Sequence, residues 1–182
     1  VEMYERPEFG STVTEEEGLF YFDNLPVEDT YYIHAHSKEG YWDGIRGYQV
    51  EFDNDDEFEE AEMTQISIEF MEGQADALSD DQLTITVDDT KSVFIVRLIQ
   101  NSATGATVTM DPPPAENTYY APDSEGVPRL NENVVQFSFL PAVIFFDVEP
   151  ADPGTYTFPV DHPERECSIV YPDTPTLAST IT

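Results

Sequence analysis

Residues 10–41 read GSTVTEEEGLFYFDNLPVEDTYYIHAHSKEGY, and they decide the fold. Glu15, Glu16, Glu17 and Gly18 form a turn, because glycine supplies the positive φ that a tight reversal needs. Leu19 to Phe22 follow, aromatic and without helical spacing, which predicts a strand. Asp23 to Pro26 close it, since proline cannot donate to a ladder. Residues 31–35 then alternate. Tyr31, Ile33 and Ala35 share one face, and Tyr32 and His34 share the other with His36. The first set is assigned to the core.

These residues resemble the carboxypeptidase regulatory-like domain, a transthyretin-like β-sandwich related to the B-type repeats of bacterial collagen adhesins. That family's pattern is a turn ending in glycine, an aromatic strand, a Leu-Pro-Pro-Gly turn and a strand opening on tyrosine. Gly18, Phe20, Phe22, Leu25, Pro26, Tyr31 and Ile33 stand in those places, followed by Gly40 and Tyr41. Val27, Glu28 and Asp29 depart from the family's Pro-Gly and lengthen the turn by one residue. The resemblance covers residues 1–71 and implies a sandwich whose first strand precedes Val1. Either residues upstream supply that strand or another copy does, as in donor-strand assembly. An unfilled edge would leave backbone donors and acceptors unpaired.

The 182 residues allow one or two domains. Seven Lys and Arg stand against 38 Asp and Glu, a net charge of −31. Such charge could mean disorder, but 12 Phe, 10 Tyr and a Trp in strand-like runs are enough to build cores. The acids spread from Glu2 to Asp173, and only Lys38 and Lys91 represent lysine. That distribution resembles the proteome habit of salt-accumulating archaea and their viruses. Its physical logic is self-repulsion, which concentrated cations screen; an ordinary acidic surface domain is the plainer alternative. Nucleic acid and anionic lipid are poor partners, because phosphate contacts need basic residues. A lone Cys167 excludes an internal disulfide, and no apolar run is long enough to insert in a membrane as a helix.

The rest of the chain reads as more strands. Residues 42–47 read as a turn-rich connection, residues 48–52 as a strand with Tyr48, Val50 and Phe52 inward, and residues 64–70 as a strand with Ile66, Ile68 and Phe70 on one face. Residues 72–81 read as a linker. Beyond it, residues 83–87, 92–99, 106–110, 134–140, 142–148, 155–160 and 168–171 read as strands, with Tyr119 and Tyr120 as an edge. Asp152 to Tyr156 resemble the tyrosine corner of immunoglobulin-like sandwiches, which implies a backbone bond from the Tyr156 hydroxyl. Residues 172–182, rich in Pro and Thr, read as a linker or stalk. The expected fold is therefore all-β, with two consecutive β-sandwich domains, transthyretin-like over 1–71 and immunoglobulin-like over 82–171.

Chemistry is sparse. His34 and His36 at i and i+2 could chelate one metal with a carboxylate; two outward histidines on an acidic face is the plainer reading. Asp53, Asp55 and Glu57 place acids at alternate positions, as a structural-calcium loop does, though an EF-hand's glycine and helices are missing. Asp76, Asp80, Asp81, Asp88 and Asp89 offer a second acidic cluster. Cys167 lies between Glu166 and Ser168, acidic surroundings that do not activate a thiol. No nucleophile elbow, phosphate loop or zincin motif occurs, so the chain reads as no enzyme.

The expected function is a structural or adhesive subunit of an extracellular surface, filament or virion of a halophilic archaeon or its virus. Copies would meet by edge pairing and aromatic contacts through Val1, Met3, Tyr4, Tyr41, Trp42 and Tyr48. The alternative is a monomeric cell-surface module binding a carbohydrate or a receptor, with Trp42 and the tyrosines lining the site.

Overall fold

The computed structural model describes residues 1–14, 18–23, 25–26, 29–49, 63–99, 103–136, 141–171 and 173–182. They form a β-rich structure with one α-helix, in keeping with the all-β reading at its coarsest. In chain order the elements are β1 (Glu2–Met3), β2 (Thr30–Ala35), β3 (Asp43–Gln49), α1 (Ile68–Leu78), β4 (Ser92–Arg97) and β5 (Thr107–Val108). Then come β6 (Tyr119–Pro122), β7 (Pro128–Leu130), β8 (Ala142–Val148), β9 (Val160–Asp161) and β10 (Thr180–Ile181). Eight strands make one sheet in the order β1-β2-β3-β10-β4-β8-β6-β7, and β5 pairs with β9 beside it. Strands from both predicted domains thus share a single sheet.

β2 behaves as its alternation predicts. Tyr31, Ile33 and Ala35 are buried, and Tyr31 and Ile33 cluster with Met3. Phe20, Phe22 and Leu25 pack against that cluster, while Leu19 and Tyr21 point to solvent. Yet residues 19–22 join no ladder, contrary to the expected strand. Their natural place beside β2 is taken, because β1 pairs there, with Glu2 opposite His34 and Met3 opposite Ile33.

Residues 43–49, expected mostly as a connection, are the full-length strand β3, antiparallel to β2 from Thr30–Gln49 to Ala35–Gly44. The glycines that suggested a turn serve close packing instead. A Cβ on Gly47 would lie 2.4 Å from Cγ of Tyr171, and one on Gly44 would lie 2.9 Å from the Met63 methyl. Val50 and Phe52 lie outside the described residues.

The largest departure is α1. Residues 64–70 alternate like a strand and 72–81 look like a linker, but 68–78 form a helix. Met71, Ala75 and Leu78 recur at helical spacing and are the buried residues of α1. Ile68 and Phe70, assigned inward by the alternation, are 38% and 52% exposed. Ser67 caps the helix, accepting a bond from the Phe70 amide at 3.1 Å.

β8 is buried almost throughout, as its apolar run predicts. Ala142, Ile144 and Phe146 face α1 together with Trp42, Val93, Tyr120 and Ile181. Val143 and Phe145 face the opposite core with Phe94, Val108, Ala121 and Val135. Asp147 adopts φ 55°, which breaks the alternation and turns Val148 into the second core. The ladder shows the same extra residue: Val148 pairs Ser92 and Phe145 pairs Phe94. This is a β-bulge.

β10 joins the halves. It runs parallel to β3 on one side and β4 on the other, and residues 175, 176, 180 and 181 are buried. The segment read as a stalk therefore completes the sheet.

Smaller corrections follow. Residues 83–87 bury Ile85 without forming a strand. β6, expected at an edge, lies between β8 and β7. Residues 155–159 and 168–171 form no strand beyond an isolated bridge from Thr157 to Asp111. The Tyr156 hydroxyl does bond backbone, donating to the Glu149 carbonyl at 3.0 Å.

Candidate metal centre

The polar face of β2 gathers the histidines. Side chains two apart on a strand share a face, which places His34 and His36 together, opposite Tyr31 and Ile33. Their rings stand 4.9 Å apart, centroid to centroid. Glu2, directly across the ladder from His34, brings its carboxylate to the same face. Glu2 Oε1 lies 3.3 Å from His34 Nδ1 and 3.8 Å from His36 Nε2. One donor atom from each of the three residues falls within 4.8 Å of the others.

The surroundings fix the rings. His36 Nδ1 lies 2.8 Å from the Ser37 hydroxyl, and Ser37 takes a left-handed φ of 66°. The Ser37 amide donates to Asp43 Oδ1 at 3.1 Å. The other oxygen of Asp43 lies 3.9 Å from His34 Nε2, a buried nitrogen with no hydrogen-bond partner among the described residues. The His34 side chain is only 13% exposed. This is a half-buried imidazole pair with a carboxylate in front and another behind.

The other site residues are dispersed. Met3 and Trp42 are 4% exposed and belong to the cores, so neither offers a contact surface; Trp42 Nε1, like His34 Nε2, is buried without a hydrogen-bond partner among the described residues. Tyr48 packs on the Met3–Tyr31–Ile33 cluster. Tyr4 donates its amide to the Tyr32 carbonyl at 2.8 Å. The edge near Val1 is partly covered, since Val1 and Thr12 exchange two bonds, at 2.9 and 2.8 Å. Tyr41 is at the surface with Lys38 Nζ 3.7 Å above its ring. The calcium residues Asp53, Asp55 and Glu57 lie outside the described residues. His162 is a loop anchor, its Nε2 3.2 Å from the Thr104 carbonyl, and Cys167 is free and exposed.

A feature the sequence reading missed lies between α1 and the sheet. Tyr41, Ile66, Phe70, Tyr120 and Ile144 line a mainly apolar groove of about 500 Å³. Its signal was the helical period of residues 71, 75 and 78, hidden by the alternation before it. Burial pushes the Tyr120 phenol well above its ordinary pKa, and its oxygen sits 3.4 Å from Gln74 Oε1. No helix among the described residues is long and apolar enough to cross a membrane. The chain matches no family model, no curated protein and no solved structure.

Proposed function

We propose that this protein is a non-catalytic structural or adhesive subunit of an extracellular surface, filament or virion of a salt-adapted organism, assembling by exchange of β-strands. The observation that carries the reading is the slot between β3 and β4. It is filled by β10, which pairs only two residues on each side. The same segment from a neighbouring copy satisfies the same bonds, so exchange trades identical contacts and costs only a change at the hinge. Residues 163–170 are exposed throughout and, extended, span about 26 Å, enough to hand the segment to a neighbour. The net charge of −31 keeps copies apart in dilute salt, and concentrated cations let them approach.

The test is light scattering with electron microscopy in multimolar salt, with and without a peptide of residues 173–182. Ordered assemblies that excess peptide suppresses are the expected result. A monomer at every concentration and salt, indifferent to the peptide, overturns the proposal. It would favour the second reading, a monomeric binding module, for which the groove lined by Tyr41, Phe70 and Tyr120 is the supporting observation. Binding of an apolar or sugar-bearing probe that Phe70→Ala abolishes would then be the positive result.

A further inference from the structure

We infer that Glu2, His34 and His36 form a binding site for one divalent transition-metal ion of the zinc class, with Asp43 holding the back of His34. Two imidazoles and a carboxylate are a donor set that suits zinc, copper or nickel. Calcium wants six to eight oxygens, which this face does not offer. In a tetrahedral site with bonds of about 2.05 Å, neighbouring donors lie about 3.3 Å apart. The separations from Glu2 Oε1, 3.3 and 3.8 Å, need about half an ångström of closure at most, and all three donor atoms lie within 4.8 Å of one another.

Proton placement points the same way. If the Ser37 hydroxyl accepts from Nδ1–H of His36 at 2.8 Å, the lone pair of His36 Nε2 faces Glu2. A lone pair facing a carboxylate is repulsive unless a cation lies between them. At His34, metal on Nδ1 would place the ring proton on the buried Nε2, which faces Asp43 Oδ2 at 3.9 Å, a gap that must close by about 0.7 Å before the carboxylate accepts it. A carboxylate behind a ligating histidine is the arrangement that fixes its tautomer and raises its basicity.

The site also has a structural consequence. β1 holds to β2 through two residue pairs, and the metal would tie Glu2 of β1 to both histidines. An ion that binds only the folded state stabilises it by mass action. Three protein donors leave a fourth position for water or another donor.

The experiment is a Co²⁺ titration of the whole chain in excess Mg²⁺ and high salt, which saturate the ordinary carboxylate surface, followed by displacement with Zn²⁺. Expected are one equivalent of Co²⁺, visible absorption typical of a four-coordinate nitrogen–oxygen site, and loss of that band on adding zinc. His36→Ala and Glu2→Gln should abolish the band while retaining the far-ultraviolet dichroism of the fold. Asp43→Asn should keep the stoichiometry but weaken affinity by about 10-fold. A rise in melting temperature with Zn²⁺, absent in His36→Ala, gives an independent readout. No saturable band, or binding unchanged in His36→Ala, overturns the proposal and leaves a histidine pair on an acidic face.

Discussion

β8 and β2 are both interior strands of one sheet, yet they are built to different ends. β8 buries Ala142 through Phe146 on both faces, against α1 on one side and the β5–β9 layer on the other. β2 buries Tyr31, Ile33 and Ala35 only, and leaves His34 and His36 half-covered on its other face. Covering a strand on both sides maximises apolar burial and excludes chemistry. Covering it on one side gives up burial and leaves a rigid platform for polar groups. The difference appears in the residues themselves, Ala-Val-Ile-Phe-Phe in one and Tyr-Tyr-Ile-His-Ala in the other.

The comparison breaks first at Phe145. Its ring lies 5.5 Å from Phe158 and 5.9 Å from Tyr119, centroid to centroid, and it is 1% exposed. Phe145→Ala should cost about 3–5 kcal/mol through lost transfer energy and a cavity, seen as a drop in the denaturant midpoint. A cost under about 1 kcal/mol would mean that the second core collapses around the gap, and that two-sided burial is not what anchors β8.

Gly47 tests the other side of the sheet. Tyr171 packs its ring onto this glycine of β3, with Cβ, Cγ and Cδ1 all too near for a methyl. Gly47→Ala should cost about 1–3 kcal/mol by overpacking and loosen residues 171–182, which lead to β10. Hydrogen exchange at Thr180 and Ile181 would report it. Unchanged protection there would separate β10 from the Tyr171 contact.

Much of this was legible in the sequence, and the exceptions share a cause. β2, β4 and β8 follow from alternation or from a continuous apolar run, because a strand's side-chain period is local information. α1 was not, since Ile66, Ile68 and Phe70 mimic a strand just where Ser67 begins a helix, and only the three later residues 71, 75 and 78 reveal the phase. β10 was not, because a two-residue strand is made by its neighbours and not by its own pattern. The histidine pair was half legible: i and i+2 spacing put His34 beside His36, but Glu2 and Asp43 arrive through strand register, which spacing cannot supply. Trp42 misled because a single aromatic near a glycine reads equally well as surface or core.

Within β2, Tyr31→Phe isolates one bond. The hydroxyl donates to the Pro26 carbonyl at 2.9 Å, tying β2 back to Pro26. Its loss should cost about 1 kcal/mol, since the ring contacts remain and water can reach the exposed proline. No change in the midpoint would show that ring packing, with Phe9 5.6 Å away edge to face, holds Tyr31 in place unaided.

The smallest effect lies in the bulge of β8, where the strand built for burial carries a carboxyl. Partial burial raises the Asp147 pKa, and nearby Asp88 and Glu149 add to it, while the bond from the Asp88 amide at 2.8 Å opposes it. A raised folded-state pKa favours the protonated carboxyl. Its stabilising contribution is therefore complete below the ordinary aspartate range and is lost as pH rises through the folded value. At neutral pH the ionised, partly desolvated group is a net cost. An asparagine in its place would keep the acceptor and tolerate the left-handed φ of 55°. Asp147→Asn should therefore stabilise the fold at neutral pH, by less than about 1 kcal/mol given its exposure, with the gain shrinking in acid and in concentrated salt. Urea midpoints across that pH range decide it. A variant less stable at neutral pH would mean that the charge strengthens the Asp88 bond by more than its desolvation costs, and that even β8 uses a polar anchor.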